Sequence, residues 1–330
     1  MPTFARKYIR LSPLPSGLML GVALAFPLQL LAAEQPDQPT SPILFDVVDA
    51  PRDYLAEKFV SFAADIDRFF GDNRNYQESN KSVLQIDLSR VAGYGGGRNF
   101  VLSGRAKLHL PTTEQRLHLL LETDPEKNVT GESTQGQPVV FNQVVAPGKV
   151  SLAARYQKAE ETRWHFSTDA GIQIRSPLQP FARARGSYSI PMEQWRMKVA
   201  ESVFWFNTIG AGESTQLDLE HPFSEPVLFR ASSNATWLHD KQNFDLRQDL
   251  SIYHTLNERS ALLYQASAIG VSRPQGQVTD YVALMLYRYR LHRDWVFLEL
   301  SPQLHFPKER NYRSSPMFSM RLEMLFDETK

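Results

Sequence analysis

The chain has 330 residues, and its 36 lysines and arginines balance 36 aspartates and glutamates, so no net charge draws the whole molecule toward nucleic acid or an anionic surface. It has no cysteine, which excludes disulfides, thiol catalysis and thiolate metal sites and suits export to an oxidising compartment. A chain of this length can bury a large core as one or two domains.

Residues 1–33 read as a cleaved secretory signal peptide. Arg6, Lys7 and Arg10 precede an apolar run from Gly17 to Leu31, and the small residues Ala32 and Ala33 stand before Glu34. Pro13, Pro15 and Pro27 interrupt the segment, and the run falls short of the roughly 20 residues a spanning helix needs. Beyond it no stretch approaches ~18 consecutive apolar residues, so any membrane crossing must use strands. Residues 34–50 begin with EQPDQPTSP, a polar, proline-rich linker. Residues 51–81 hold an amphipathic helix and its connection. Leu55, Phe59, Phe62, Ile66, Phe69 and Phe70 share one side, Asp53, Glu57, Lys58, Asp65 and Arg68 the other, and Gly71 is a natural stop. Such a helix can pack on a neighbouring periplasmic domain, plug a barrel, or lie in a membrane interface.

From residue 82 to residue 326 the period becomes two. Phe100, Leu102, Gly104, Ala106, Leu108 and Leu110 alternate with Val101, Ser103, Arg105, Lys107 and His109. Trp164, Phe166, Thr168, Ala170, Ile172 and Ile174 alternate in the same way with polar neighbours, as do Phe244, Leu246, Leu250 and Ile252. In a sheet the two sets point to opposite faces. The expected fold class is all-β, an antiparallel transmembrane barrel of about fourteen strands, twelve being the alternative, behind the short helix. An even count puts both barrel ends on the periplasmic side. The connections around 111–114, 158–162, 191–193, 257–259 and 292–294 then fall inside as short turns, and those around 93–98, 124–147, 207–213 and 307–315 fall outside as longer loops.

The tryptophans fit that frame, with Trp164, Trp195 and Trp295 at the periplasmic end and Trp205 and Trp237 at the external end, as an interfacial aromatic girdle requires. Trp195 and Trp205 share a face on one strand, and ten residues at ~3.3 Å tilted by ~40° span about 25 Å, the height of an apolar band. Glu201 lies between them on that face, an exception that a β-bulge would remove.

At the C-terminus Phe318, Met320, Leu322, Met324 and Phe326 alternate with Ser319, Arg321, Glu323 and Leu325, followed by a short tail over 327–330. This segment resembles the closing strand of Gram-negative outer-membrane β-barrel proteins. The resemblance implies an outer-membrane location, contact with outer-membrane lipid and recognition by the barrel assembly machinery. It covers the signal and residues 82–326 by pattern and points to no subfamily.

Motifs for chemistry are sparse. The Gly93-Tyr94-Gly95-Gly96-Gly97 cluster lacks the Lys-Ser/Thr pair and helix of a phosphate-binding loop and reads as a hairpin loop. Eight histidines show no HExxH spacing, and His109 and His118, facing each other across a turn, are too few for a metal site. No GxSxG elbow occurs, so no catalytic, metal or cofactor residue is assigned and no cofactor is expected. The feature that stands out is a charged inner face. Arg105, Lys107, Arg155, Arg163, Arg175, Arg183, Arg185, Arg196, Lys198, Arg230, Arg247, Arg288, Arg290 and Arg321 outnumber Asp87, Glu122, Asp169, Asp245, Asp249, Glu299 and Glu323.

Such a lining points to a narrow, anion-preferring passive pore. Arg183, Arg185, Arg196, Arg247, Arg288 and Arg290 are the candidate contacts for small anionic solutes. If the same arginines pair with carboxylates across the lumen, the barrel is instead a plugged structural envelope protein. Two readings from other classes are a soluble periplasmic β protein binding a lipid or glycan, and a membrane-embedded hydrolase of lipid or lipopolysaccharide. Neither has a supporting motif.

Overall fold

In the computed structural model the described residues are 62–63, 65–67, 69–70, 76, 82–97, 100–110, 116–126, 129, 150–158, 163–192, 194–291 and 295–327. The expected signal peptide and linker lie outside them. So does most of the segment read as a helix, of which Phe62, Ala63, Asp65, Ile66, Asp67 and Phe69 carry helical backbone.

Fourteen strands form one closed barrel: β1 (Val83–Gly93), β2 (Val101–His109), β3 (Leu117–Thr123), β4 (Val150–Gln157), β5 (Trp164–Gln173), β6 (Gln179–Met192), β7 (Trp195–Phe206), β8 (Gly210–Ser224), β9 (Val227–Leu238), β10 (Asn243–Asn257), β11 (Ser260–Val271), β12 (Gln277–Arg290), β13 (Val296–Pro307) and β14 (Ser315–Asp327). Each strand pairs antiparallel with its sequence neighbours, and β1 closes on β14 from Val83↔Asp327 to Gly93↔Met317. Closure leaves no edge with unpaired backbone groups, which is the condition for a sheet to sit in lipid. No described helix is long and apolar enough to cross a membrane.

The even count returns both barrel ends to one rim, the periplasmic end. The longest connection, residues 124–149, leaves from the opposite rim, as expected of an external loop. One expected loop is corrected. The connection placed at 207–213 is only residues 207–209, because β8 starts at Gly210, whose φ of 77° makes the turn. Short external hairpins at 174–178, 239–242 and 272–276 also escaped the sequence reading, since each breaks the alternation for only a few residues.

The outer surface is what lipid selects. Leu102 is 65% exposed, Trp164 58%, Val203 51% and Phe318 45%. In water so much bared apolar surface would be a liability. Trp164 and Trp195 begin β5 and β7, Trp295 precedes β13, and Trp205 and Trp237 stand one residue from the outer ends of β7 and β9. Phe326 of the closing strand stacks on Trp295, with ring centroids 4.7 Å apart. The pairing of β7 with β6 and β8 has no register shift. No bulge turns Glu201 inward, and its side chain shares the lipid-facing side with Val203 and Trp205.

Candidate functional site in the lumen

The inward side chains divide the lumen into two differently built walls. On β4–β6, on β7–β9 and again on β12–β14, register partners alternate in charge, so neighbouring strands place cation beside anion. Arg155↔Asp169 and Asp169↔Arg183 are cross-strand partners. Arg155 Nε donates to Asp169 Oδ1 at 2.6 Å and Nη2 to Oδ2 at 2.8 Å, a bidentate pair. Arg183 also donates to Asp169 and reaches Glu122 Oε2 with Nη2 at 2.7 Å. A second chain runs Arg196↔Glu220↔Arg230, each Nε donating to Glu220 at 2.8 Å. A third runs Arg288↔Glu299↔Arg321. Arg288 donates to Glu299 and, by Nη2, to Glu323 Oε1 at 2.7 Å, while Arg321 Nε donates to Glu299 Oε2 at 2.6 Å.

The other wall, on β9–β12, is apolar in its periplasmic half, while farther out the same strands turn Arg247, Asp249, Gln265 and Ser267 inward. Leu228 of β9, Tyr253 of β10, Ala261 and Leu263 of β11 and Leu284 and Leu286 of β12 point inward, each 0–6% exposed, because Ala63, Ile66 and Phe70 cover them, with Phe62 and Phe69 packed alongside. Phe70 meets the Tyr253 ring edge-on at 5.2 Å and Phe69 meets Phe297 at 5.8 Å. Asp67 fixes the azimuth of this segment by accepting from Arg230 Nη2 at 2.6 Å. Arg288 and Arg290 stand over the Phe69 ring at 6.0 and 5.5 Å, within cation–π range. Further along, Tyr76 Oη donates to the Ala106 carbonyl at 3.2 Å, and Lys107 Nζ donates to the Tyr76 carbonyl at 2.6 Å. Burial pushes the Tyr76 phenol well above its ordinary pKa.

A second apolar cluster lies toward the external mouth, where Leu120, Ala153, Phe181, Phe204, Phe206 and Leu238 gather under Val129 and Ile209. Gly212 is required here, since a Cβ on it would meet the Phe204 ring at 2.6 Å. The start of the long loop is held to this mouth. Gln173 Nε2 donates to Glu126 Oε1 at 2.9 Å, and Thr208 donates to the same oxygen. On the far side of the mouth Tyr94 Oη donates to Glu309 Oε1 at 2.9 Å. Burial, reinforced by that bond, pushes the Tyr94 pKa up to about 12.

All six arginines singled out as solute contacts face inward. Arg183, Arg196, Arg247 and Arg288 meet carboxylates, Arg185 Nη1 donates to Ser202 Oγ at 3.0 Å, and Arg290 lies over Phe69. Arg155, Asp169, Arg183, Arg185, Ser167, Ser202 and Val129 line one small cavity. Sequence reading missed Asp218, Glu220 and Asp280, which also face inward, and Arg163 and Arg175 stand outside the strands. The inward charge is thus closer to balance than the sequence count suggests.

Among the described residues the histidines form no catalytic arrangement. His109 and His118 face each other with ring centroids 5.4 Å apart, and no group of three or more metal-ligating side chains occurs among the described residues. His305 Nδ1 lies 2.8 Å from Asp280 Oδ2, but its Nε2 faces Gln303 Oε1 at 3.2 Å instead of a nucleophile.

A closed antiparallel barrel with an apolar outer band between aromatic ends and a charged interior defines an integral outer-membrane β-barrel protein. No family model matches the chain, and no curated protein matches it. Among solved structures it is similar to the outer-membrane channel DcaP of Acinetobacter baumannii (8% identity, 74% of this chain and 96% of that one, TM-score 0.42). It is also similar to the outer-membrane-expressed OmpT of Vibrio cholerae (8%, 74% and 96%, TM-score 0.43) and to the KdgM porin (8%, 73% and 99%, TM-score 0.37).

Proposed function

We propose that the protein is a narrow passive pore for small polar solutes, modestly anion-preferring and closed toward the periplasm by the segment around residues 62–76. The reading rests on one observation, the seating of Ile66 and Phe70 on an apolar inner wall. A water-filled lumen has no use for a wall of leucines, whereas a removable cover needs one: its apolar face is held by burial and released without breaking the barrel's hydrogen bonds. Once the cover leaves, the charged networks line the path. Inward cations still slightly outnumber inward carboxylates, which favours anions. The function is non-enzymatic, and the chain's partners are outer-membrane lipid, small solutes and the assembly machinery that inserts it.

A second reading, a permanently sealed structural barrel, is favoured by the three arginine–carboxylate networks, which cross-link the wall. Planar-bilayer recording of the refolded full chain under a salt gradient separates the two. Discrete openings with a reversal potential displaced toward the anion equilibrium support the pore. A barrel that inserts and resists heat in detergent yet never conducts supports the sealed reading.

A further inference from the structure

Glu201 is a carboxylate on the lipid-facing wall between two girdle tryptophans, where charged groups are unfavourable in a depth-dependent way. It does not stand alone. Thr215, its cross-strand partner on β8, donates to Glu201 Oε2 at 2.6 Å. On the next two strands Ser233 donates to Gln248 Oε1. Glu201 lies four residues in from Trp205, Ser233 four in from Trp237, and Gln248 four in from Phe244. The four polar groups therefore form a level line across β7–β10 at one depth in the bilayer. Small outward residues flank it, Ala184 and Gly186 on β6, Ala231 and Ala235 on β9, Ala266 and Ala268 on β11, while Val203, Leu217, Leu246 and Leu250 stand among the polar groups themselves. On β14 and β1 the outward positions are mostly large, Phe318, Met320, Leu322, Leu84, Ile86 and Leu88 among them. Lipid has no use for a flat polar strip, but small residues let two backbones approach closely and polar groups in hydrocarbon seek partners.

We propose that this strip is the contact with a second copy of the chain, arranged about a two-fold axis that runs along the membrane normal in front of the β8–β9 seam. Such an axis exchanges left and right at constant depth, so each patch meets itself. Glu201 of one copy faces Gln248 of the other, and Thr215 faces Ser233. The donors and acceptors match. Gln248 holds Ser233 with its carbonyl oxygen and gives one amide hydrogen to the Asp249 carbonyl at 3.3 Å, leaving the second to offer, while Glu201 accepts from Thr215 on Oε2 and has no hydrogen bond on Oε1 among the described residues. The two-fold closes both deficits at once, which a contact between dissimilar faces does not.

The test is the association state of the full chain in lipid vesicles, counted by single-molecule photobleaching at high lipid dilution. Wild type is expected to be dimeric. Gln248→Glu sets carboxylate against carboxylate and should weaken association at least tenfold. Glu201→Gln combined with Gln248→Glu exchanges donor and acceptor and should restore it. Heat-modifiable migration in detergent shows that each variant is folded. Because the chain has no cysteine, Thr215→Cys with Ser233→Cys gives a second readout, a covalent dimer on oxidation in vesicles of the otherwise wild-type chain. Monomeric wild type, a trimer, an undiminished Gln248→Glu dimer, failure of the exchange to rescue it, or a failed cross-link would each overturn the two-fold contact.

Discussion

The inner wall formed by β4–β6 and the periplasmic half of the one formed by β9–β12 belong to the same sheet and obey the same period of two, yet they bury opposite chemistry. On the first, Arg155, Asp169 and Arg183 alternate in charge between register partners and satisfy one another. On the second, Leu228, Leu263, Leu284 and Leu286 offer nothing to water and are satisfied only because Ile66 and Phe70 lie on them. Alternation along a strand tells which side chains face inward. It does not tell whether the inside is wet. A wall that pairs with itself makes a lasting part of the barrel, and a wall that needs an occupant makes a seat for something that can leave.

The difference can be broken from either side. The largest effect on stability is expected at Arg183. Its replacement by Met leaves Glu122 and Asp169 short of a buried cation, and removing one partner of such a pair destabilises by about 3–5 kcal/mol. A marked drop in the urea midpoint of barrel unfolding would show it. On the other wall, Phe70→Ala should weaken docking of the segment by about 3–5 kcal/mol, the range for truncating a buried phenylalanine. Here the urea midpoint of the barrel should change little while hydrogen exchange over residues 62–70 rises sharply. Equal effects on both readouts would mean that the segment is a structural part of the barrel.

Asp67→Asn should be milder, because Arg230 keeps Glu220 and Tyr253. Loss of one charged hydrogen bond amounts to about 1.5–3 kcal/mol, seen as more frequent openings in bilayer recordings without a change in their size. The smallest effect belongs to the external mouth. With its pKa raised to about 12, Tyr94 keeps its hydrogen bond to Glu309 fully below pH 10 and loses it as pH rises through about 12. Tyr94→Phe should remove that alkaline step from the phenolate absorbance titration, and near neutral pH should lower stability by about 1 kcal/mol or less.

Much of the barrel was legible in the sequence because period two, girdle tryptophans and turn residues are local signals. The strand count and the outward set Phe318, Met320, Leu322, Met324 and Phe326 follow from them. The lumen was far less legible. The inward direction of Arg183 and Arg288 could be read, but their carboxylates could not, since Glu122 lies 61 residues from Arg183 and Glu323 lies 35 from Arg288, and only the register across intervening strands joins them. The apolar wall was hidden for a different reason. In β12 inward Val282, Leu284 and Leu286 stand between outward Tyr281, Ala283 and Met285, so the alternation vanishes where both faces are apolar. A nearly unbroken apolar stretch in a strand otherwise expected to alternate was the available signal that something covers the inside.

The most direct measurement is single-channel conductance of the full chain compared with Ile66→Asp, which places a charge within the buried apolar cluster without removing any member of the arginine networks. Wild type is expected to open briefly and seldom, and the variant to hold a steady open level several-fold more of the time with unchanged ion selectivity. Identical records, or a variant that is silent while wild type conducts, would contradict a lumen closed by the segment around residues 62–76.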